Sequence, residues 1–414
     1  MIQEAISPLS LLRDEDFVPV RSLQKVTIEF TTRCNLKCTY CGVTGPTYVK
    51  QDMNLDRFGS LIEQLRGLGV KYVQISGAGE TTIVRNWDDY LFQLIDAGFA
   101  ITIISNLAKA IPDRAIAALS RCKEITTSVD TVDAELFARI RVGGDLRVLL
   151  HNILRIRALA LMECREAPRF IWNCVTNDKV VFDLERWVAT GISVGVDHFQ
   201  ISELTVLENL PAEQVVAPIS QLSKANIARA NEVVAAAKRL AETAGKWFTV
   251  VPAIRDILNG ERRVAREGHT HYERDENGEL RGRGWQRFVE ILDDDGKPVV
   301  QPSLVTFSEV RSEEPAPSAA DGRMTRDCVL PWTEMMFWAS DRVSPCCMYV
   351  GLADYQGSVE AALDSPQMLK VRRGLVSGHP EKVCDLCPMA EKVETHVLKE
   401  KLIPLLGLDP PAGS

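Results

Sequence analysis

Short apolar runs alternate with amphipathic stretches through the first half of the chain. The runs hold few polar residues, which is typical of parallel strands covered on both faces. Between the runs, apolar residues recur at helical spacing, as at Leu55, Phe58 and Leu61, where Asn54 is a candidate helix cap. Similar patterns predict helices over residues 87–97, 112–119, 146–161 and 183–189. The predicted strands are VTIEF (26–30), VKYVQIS (70–76), FAITIIS (99–105), EITTSVD (124–130), RFIWNCV (169–175) and HFQIS (198–202).

Six strand–helix units in succession predict an α/β fold, with a parallel sheet curled into a partial (β/α)6 TIM-like barrel. Chemistry in such barrels takes place at the carboxyl ends of the strands, so polar motifs directly after a strand are candidates for a site. A longer helical pattern over about residues 220–244 follows the sixth strand. Residues 255–326 are then rich in charge, glycine and proline, and we interpret them as a bridge or insertion.

The bulk composition narrows the class of protein. The chain has 414 residues, which predicts two domains, and its net charge of −8 argues against a general nucleic-acid or anionic-membrane surface. The first residues lack the basic start and apolar run of a signal peptide, and no apolar stretch approaches the ~20 residues that span a bilayer. We therefore expect a cytoplasmic protein whose eleven cysteines bind metal or do redox chemistry.

Three cysteines follow the first predicted strand in the sequence CNLKCTYC, at Cys34, Cys38 and Cys41. On one loop, three thiolates can converge on an iron–sulfur cluster, and three ligands for four irons leave one iron open. A structural zinc site is the alternative, as are cysteines buried as small hydrophobes. Zinc sites usually need a fourth Cys or His, and the nearest histidine along the chain is His151.

This loop resembles the signature of the radical S-adenosylmethionine (SAM) superfamily, with aromatic Tyr40 just before the last cysteine. The resemblance implies that the open iron of a [4Fe–4S] cluster chelates SAM. It also implies that reductive cleavage of SAM yields a 5′-deoxyadenosyl radical, which abstracts a hydrogen atom from the substrate. An external electron donor such as flavodoxin or ferredoxin is implied as a partner.

Further motifs at strand ends resemble the same family. SGAGE (76–80) is similar to the family's Gly-Gly-Glu-type turn that meets the SAM amino group, although Thr81 stands where the family usually has proline. Polar residues follow the third and fourth strands, and the resemblance implies that they contact SAM. The spacing does not choose between two arginines, Arg139 and Arg141. The candidate SAM contacts are Gly77, Gly79, Glu80, Ser105, Asn106, Ser128, Asp130 and Arg139 or Arg141.

Three residues on the last two strands are further candidates. Gln200 and Glu203, at the end of the sixth strand, are possible SAM or substrate contacts. Cys174, at the end of the fifth strand, is a candidate hydrogen-atom donor if it faces the cavity, although a buried structural cysteine is the commoner role of such a residue.

A second cysteine group lies near the C-terminus, in CVLPWTEMMFWASDRVSPCC and CDLC. Cys328, Cys346, Cys384 and Cys387 supply four thiolates, with Cys347 as the substitute for Cys346, and a zinc ribbon is the alternative. LPWTE, RVSPCC, MLKVRRGL and CDLCP resemble the auxiliary-cluster domains called SPASM and twitch. No cysteine follows Cys387, which implies one auxiliary [4Fe–4S] cluster.

These observations predict five segments: an N-terminal extension (1–25), the barrel (26–252), an insertion that is a candidate for substrate binding (253–327), a small α+β iron–sulfur domain (328–390) and a tail (391–414). The predicted function is hydrogen abstraction from a small polar molecule of the sugar, aminocyclitol or nucleotide-sugar type. Oxidation or epimerisation would follow, with the auxiliary cluster as electron relay. The alternatives are a maturase of a ribosomally made peptide and a non-catalytic iron–sulfur protein.

Overall fold

The computed structural model describes residues 12–45, 48–204, 215–251, 254–255, 258, 263–268, 272–274, 280–282, 286–291, 323–349, 351–385, 387 and 390–408. Most of the predicted insertion therefore lies outside the described residues, and its role in substrate binding stays a prediction. Within the part of the chain that is described, no helix is both long and apolar enough to cross a membrane.

The six predicted strands are all present, and helices alternate with them. In chain order the elements are β1 Lys25–Ile28, α1 Phe58–Gly67, β2 Tyr72–Ile75, α2 Trp87–Asp96, β3 Ala100–Ser105, α3 Asp113–Leu119, β4 Glu124–Ser128, α4 Ala134–Ile140, α5 Leu146–Met162, β5 Arg169–Thr176, α6 Leu184–Ser193, β6 His198–Glu203, α7 Lys224–Thr243 and β7 Trp247–Val250. The C-terminal part adds β8 Glu334–Trp338, β9 Arg342–Ser344, β10 Ala353–Asp354, α8 Val359–Leu363, α9 Pro366–Ser377, α10 Lys382–Asp385 and α11 Thr395–Leu406.

The predicted cap of α1 is wrong by three residues. The Asn54 side chain accepts a hydrogen bond from the Asp56 backbone N–H (3.0 Å), which forms a local turn before the helix. Helix α1 starts only at Phe58, and its N-cap residue, Arg57, makes no capping hydrogen bond.

One sheet of ten strands, in the order β10-β9-β8-β1-β2-β3-β4-β5-β6-β7, organises the described residues. Strands β1 to β7 are parallel, as the α/β partial barrel requires. Strand β8 comes from the C-terminal part yet pairs in parallel with β1, Lys25 opposite Glu334. The predicted boundary at residue 328 therefore precedes a strand of the same sheet, and the division into domains stays a prediction.

The two faces of the sheet differ. On the helix-covered face, Trp172 of β5 and Phe199 of β6 pack against Trp187 of α6, with ring centroids 5.2 to 6.3 Å apart. The opposite face holds half-buried polar side chains instead of the branched apolar layers that fill an ordinary TIM barrel. The near-continuous apolar runs had indicated strands that are apolar on both faces. In the structure these strands are apolar on one face only. These inner-face residues are Thr27, Gln74, Thr102, Thr126, Ser128, Asn173 and Gln200.

A second apolar core joins the two ends of the chain. Trp332, Leu375 and Leu398 pack in it together with Phe17, and the Trp332 indole N–H donates to the Phe17 carbonyl (2.6 Å). The described part of the N-terminal extension is thus packed against the C-terminal region.

Candidate active site at the carboxyl ends of the strands

The first cysteine group lies on the loop that leaves the carboxyl end of β1. Backbone pairing of Cys38 with Arg141 fixes one side of the loop, and the Thr31 and Thr32 hydroxyls fix the other by donating to the segment 49–52. Cys38 is buried with Leu36 and Ala108, and Cys34 and Cys41 pack against the same small cluster, so the three thiols are neighbours. Burial raises the pKa of all three thiols, as expected for side chains gathered with Leu36 and Ala108.

A buried ion pair lies beside Cys38. The Arg141 guanidinium donates two hydrogen bonds to the Asp130 carboxylate (2.8 and 2.9 Å), and the Tyr40 hydroxyl donates a third (2.8 Å). Arg141 Nη1 is also 3.9 Å from the Cys38 sulfur. Of the two candidate arginines, Arg141 is the one beside the cysteines, because Arg139 lies exposed on α4, and the contact of either one with SAM stays a prediction. Arg141 therefore places a positive charge beside the cysteine loop.

The Gly77–Glu80 turn presses against the same loop. A Cβ on Gly79 would lie 2.4 Å from the carbonyl oxygens of Thr31 and Arg33, so only glycine fits there. The Glu80 N–H in turn donates to the Arg33 carbonyl (2.8 Å). The two motifs that resemble the radical SAM family are thus in direct contact.

Glu80 is buried and accepts four hydrogen bonds from the protein. The donors are the N–H and hydroxyl of Thr82 (3.1 and 2.8 Å), the hydroxyl of Ser105 (2.7 Å) and the N–H of Asn106 (2.7 Å). Asn106 also points its amide at the Cys34 sulfur, 3.9 Å away, and at Asn35 (2.9 Å). Glu80, Ser105 and Asn106 therefore form one hydrogen-bonded unit next to the first cysteine.

Polar residues of neighbouring strands form a row at one level of the sheet. Ser128, Asn173, Gln200 and Thr249 are successive register partners across β4 to β7. The Asn173 side-chain oxygen is buried and lacks a hydrogen-bond partner among the described residues, so it is a vacant acceptor. Glu203, the last residue of β6, is half-buried opposite Thr176.

The Cys174 side chain does not face this row. Its predicted role as hydrogen-atom donor required it to face the cavity, and this requirement is not met. The side chain is fully buried in the main core and contacts the Asp130 carbonyl at 3.3 Å. Side chains alternate along a strand, so Cys174 lies on the same helix-covered face as Trp172. Asn173 takes the inner position.

The second cysteine group gathers at the opposite edge of the sheet. Cys328 lies shortly before the amino end of β8 and interacts electrostatically with Cys346, Cys384 and Cys387, and Cys347 interacts in the same way with Cys346 and Cys387. Cys346 and Cys384 pack against the second apolar core, whereas Cys347 is exposed. The buried Tyr349 hydroxyl lies 3.4 Å from the Cys384 sulfur and 3.2 Å from a carboxylate oxygen of Glu381.

The donor sets suit clusters. All eleven cysteines are free thiols, and among the residues that the structure describes no three His, Cys, Asp or Glu side chains gather closely enough for a single metal ion. A four-iron cluster instead takes each thiolate on a different iron, so its ligands stand further apart. Three thiols in the first group and four in the second fit one open and one closed [4Fe–4S] cluster.

The profile of the radical SAM superfamily matches residues 28–164. These residues form a radical SAM domain. The domain begins inside β1 and includes the three cysteines, the Gly77–Glu80 turn and the Asp130–Arg141 pair.

Curated relatives match less than half of this chain. The chain is 26% identical to the GTP 3′,8-cyclase of Mesorhizobium japonicum over 47% of this chain and 57% of that protein. It is 30% identical to the probable GTP 3′,8-cyclase of Methanocaldococcus jannaschii over 32% of this chain and 45% of that protein. The chain thus spans about half the length of the curated relatives it matches.

Solved structures extend the likeness of fold across most of the chain. Streptococcus suis SuiB superposes with a TM-score of 0.55 at 16% identity, over 86% of this chain and 69% of that protein. The protein anSMEcpe, with bound AdoMet and a Cp18Cys peptide, superposes with a TM-score of 0.51 at 12% identity, over 92% and 96%. These matches support the mixed α/β fold with a mostly parallel sheet.

The structure adds three residues that sequence reasoning missed. They are Glu29, which touches the glycine turn, Asn173 with its vacant oxygen, and Tyr349 beside Cys384. Their neighbours are distant in sequence, and only the register of the strands and the packing of the C-terminal core could have revealed them.

Proposed function

We propose that the chain is a radical SAM enzyme acting on a small polar substrate. The observation that carries the proposal is the contact between the three-cysteine loop and the Gly77–Glu80 turn, at the carboxyl edge of the sheet. With cluster and SAM bound, this site would supply a 5′-deoxyadenosyl radical that abstracts a hydrogen atom from the substrate.

The residues of the site have distinct tasks. Cys34, Cys38 and Cys41 would hold three irons and leave the fourth for SAM. Arg141, oriented by Asp130 and Tyr40, places positive charge near Cys38, where it favours added negative charge on the cluster. The Glu80, Ser105 and Asn106 unit keeps the turn against the loop.

The second cysteine group is proposed to hold an auxiliary [4Fe–4S] cluster. Four thiolates occupy every iron, which suits electron relay better than substrate binding. The two groups flank opposite ends of β1, because the charges of Lys25 and Glu334 act on Cys347 while Cys34 follows the other end of the strand. If the substrate radical loses an electron through the second group and a proton to solvent, the net reaction is an oxidation. If a thiol instead gives a hydrogen atom to that radical, the net reaction is an epimerisation.

The inner face of the sheet supports a small polar substrate. Thr102, Thr126, Asn173 and Gln200 offer neutral hydrogen-bonding groups on this face, as hydroxyl-rich molecules require. Their arrangement suits a sugar, an aminocyclitol or a nucleotide-linked sugar.

Two other substrate classes have specific support. The relatives named GTP 3′,8-cyclase point to a nucleoside triphosphate as substrate. The structure of SuiB bound to its precursor peptide SuiA points to a ribosomally made peptide. A triphosphate is bound through several cations, and two of the described arginines at the cysteine loop, Arg33 and Arg141, are already paired with Asp52 and Asp130. The neutral inner face therefore favours the small polar molecule over GTP.

The test begins with the chain reconstituted with iron and sulfide under anaerobic conditions. We expect about eight irons per chain, and about four after replacing both Cys384 and Cys387 with alanine. Dithionite and SAM should yield 5′-deoxyadenosine, while flavodoxin or ferredoxin would replace dithionite in the cell. If the wild type makes no 5′-deoxyadenosine with any of the three substrate classes, it is a non-catalytic iron–sulfur protein.

A further inference from the structure

Glu29 is a buried carboxylate that belongs to neither cysteine group. Glu29 follows β1 directly, and only 2% of its surface is exposed. Oε1 accepts a hydrogen bond from the Ala78 N–H (2.7 Å), and Oε2 accepts one from the Ala339 N–H (3.2 Å). A buried carboxylate without a cation is costly, which calls for a reason beyond packing.

The two donors belong to different parts of the chain. Ala78 is the middle of the Gly77–Glu80 turn, and Ala339 follows β8 from the C-terminal part. A Cβ on Gly77 would lie 2.3 Å from Glu29 Cγ and 2.4 Å from Oε1, so the turn rests directly on this side chain. Glu29 thus joins the turn, the first strand and the C-terminal strand at one point.

We propose that Glu29 is a positioning residue for the SAM site, whose ionised carboxylate holds the Gly77–Glu80 turn in its binding position and ties it to the end of β8. The inference rests on the proposed function, since it assumes that the turn contacts SAM. It adds that SAM affinity depends on the C-terminal part of the chain and on the charge state of Glu29.

The charge of Glu29 changes near neutral pH. Burial raises the pKa of this carboxyl to about 7, and the two backbone N–H donors offset only part of that effect. The charged groups on the surrounding elements are engaged elsewhere. Lys25 pairs with Glu334, Arg33 with Asp52, and Glu80 with its four donors, while Asp341 follows β8 and does not contribute to the shift.

Two opposite pH trends follow. The folded pKa is above the unfolded value of 4.5, so Glu29 favours folding at low pH and this contribution is lost as the pH rises through 7. SAM binding needs the ionised form and improves over the same interval. With the competent fraction rising from about a tenth at pH 6 to about nine tenths at pH 8, affinity should rise roughly tenfold.

The test measures SAM binding to the reconstituted full chain at pH 6, 7 and 8 in wild type, Glu29→Gln and Glu63→Gln, the last altering an exposed glutamate of α1. The SAM amino group itself titrates near pH 8, so the quantity of interest is the difference between proteins. We expect the wild type to lose about tenfold more affinity than Glu29→Gln between pH 8 and pH 6. Glu63→Gln should match the wild type.

Iron content and thermal unfolding of the apoprotein accompany each titration. If Glu29 only stabilised the fold, Glu29→Gln would bind SAM with the wild-type pH dependence, and the inference would be overturned. Glu29→Asp is the second variant if the glutamine variant loses its iron. It keeps a carboxylate, so its pH dependence should remain, and a flat profile would contradict the proposal. A wild type that binds no SAM at any pH overturns the proposed function itself.

Discussion

The two cysteine groups are assembled in different ways. The first group is a single loop whose three thiols are at most seven residues apart, next to a buried Asp130–Arg141 pair. The second draws on segments spread over sixty residues, which are held by an apolar core around Trp332 and Tyr349. Three thiolates on a four-iron cluster leave one iron open for a ligand, whereas four thiolates occupy every iron. Reactivity is therefore expected in the first group and relay in the second.

The largest contrast is expected from removing one ligand of the first group. Cys38→Ala should abolish 5′-deoxyadenosine formation and lower iron by about four per chain, because a cluster with two ligands is not retained. Cys384→Ala should lower iron by a similar amount and still cleave SAM. Iron assays and product chromatography measure both, with Cys164→Ala at an exposed cysteine as control. Loss of SAM cleavage in both variants would remove the distinction between the groups.

The choice of ligand in the second group gives a sharper comparison. Cys346→Ala should lose about four irons, and Cys347→Ala should lose none, because Cys346 packs beside Cys384 while Cys347 is exposed. Iron content and the electron paramagnetic resonance spectrum of the reduced protein distinguish the two variants. The reverse pattern would assign the fourth ligand to Cys347.

Stability should respond differently to charge in the two regions. Asp130→Asn leaves Arg141 buried without a compensating charge and should cost about 3–5 kcal/mol in the free energy of unfolding. Glu381→Gln breaks the half-exposed pair with Lys370 and should cost at most about 1 kcal/mol. Denaturant titration of the apoproteins compares them. Equal costs would mean that the first loop does not depend on its buried ion pair.

A smaller effect is expected on the reduction potential of the second site. Tyr349→Phe removes a hydroxyl 3.4 Å from the Cys384 sulfur and 3.2 Å from its acceptor Glu381, and the share of that hydrogen bond given to a cluster thiolate would raise the cluster potential. One hydrogen bond corresponds to a decrease of roughly 20–65 mV for a one-electron couple. Potentiometric titration should show this decrease for the second cluster only. A change in the reduction potential of the first cluster instead would contradict the assignment of Tyr349 to the second site.

The smallest effect concerns Cys174. Cys174→Ala should retain SAM cleavage and substrate turnover and cost about 1 kcal/mol of stability, as is common for a core substitution. Product stereochemistry and thermal unfolding measure the two quantities. Loss of an epimerised product alone, with cleavage intact, would restore the role of hydrogen-atom donor.

The sequence predicted the parts of the site that depend on local order. Six strands, the cysteine loop and the glycine turn follow from runs and spacings within about ten residues, and the structure places them together at one edge of the sheet. Spacing did not choose between Arg139 and Arg141. Arg139 lies on α4, whereas Arg141 follows the helix and its backbone pairs with Cys38, and only this long-range pairing shows which of the two meets Asp130.

By itself, then, the sequence determined the α/β fold, the radical SAM domain and the identity of the thiols, because periodicity and short motifs are encoded in neighbouring residues. Only the tertiary structure decided that β8 joins β1, that Cys174 turns into the core while Asn173 faces inward, and that Glu29 links the turn to the C-terminal strand. These outcomes depend on strand register and on contacts between residues up to about three hundred positions apart. A shift of one residue in a strand exchanges its two faces, and the near-continuous apolar runs of these strands do not reveal which face is inward.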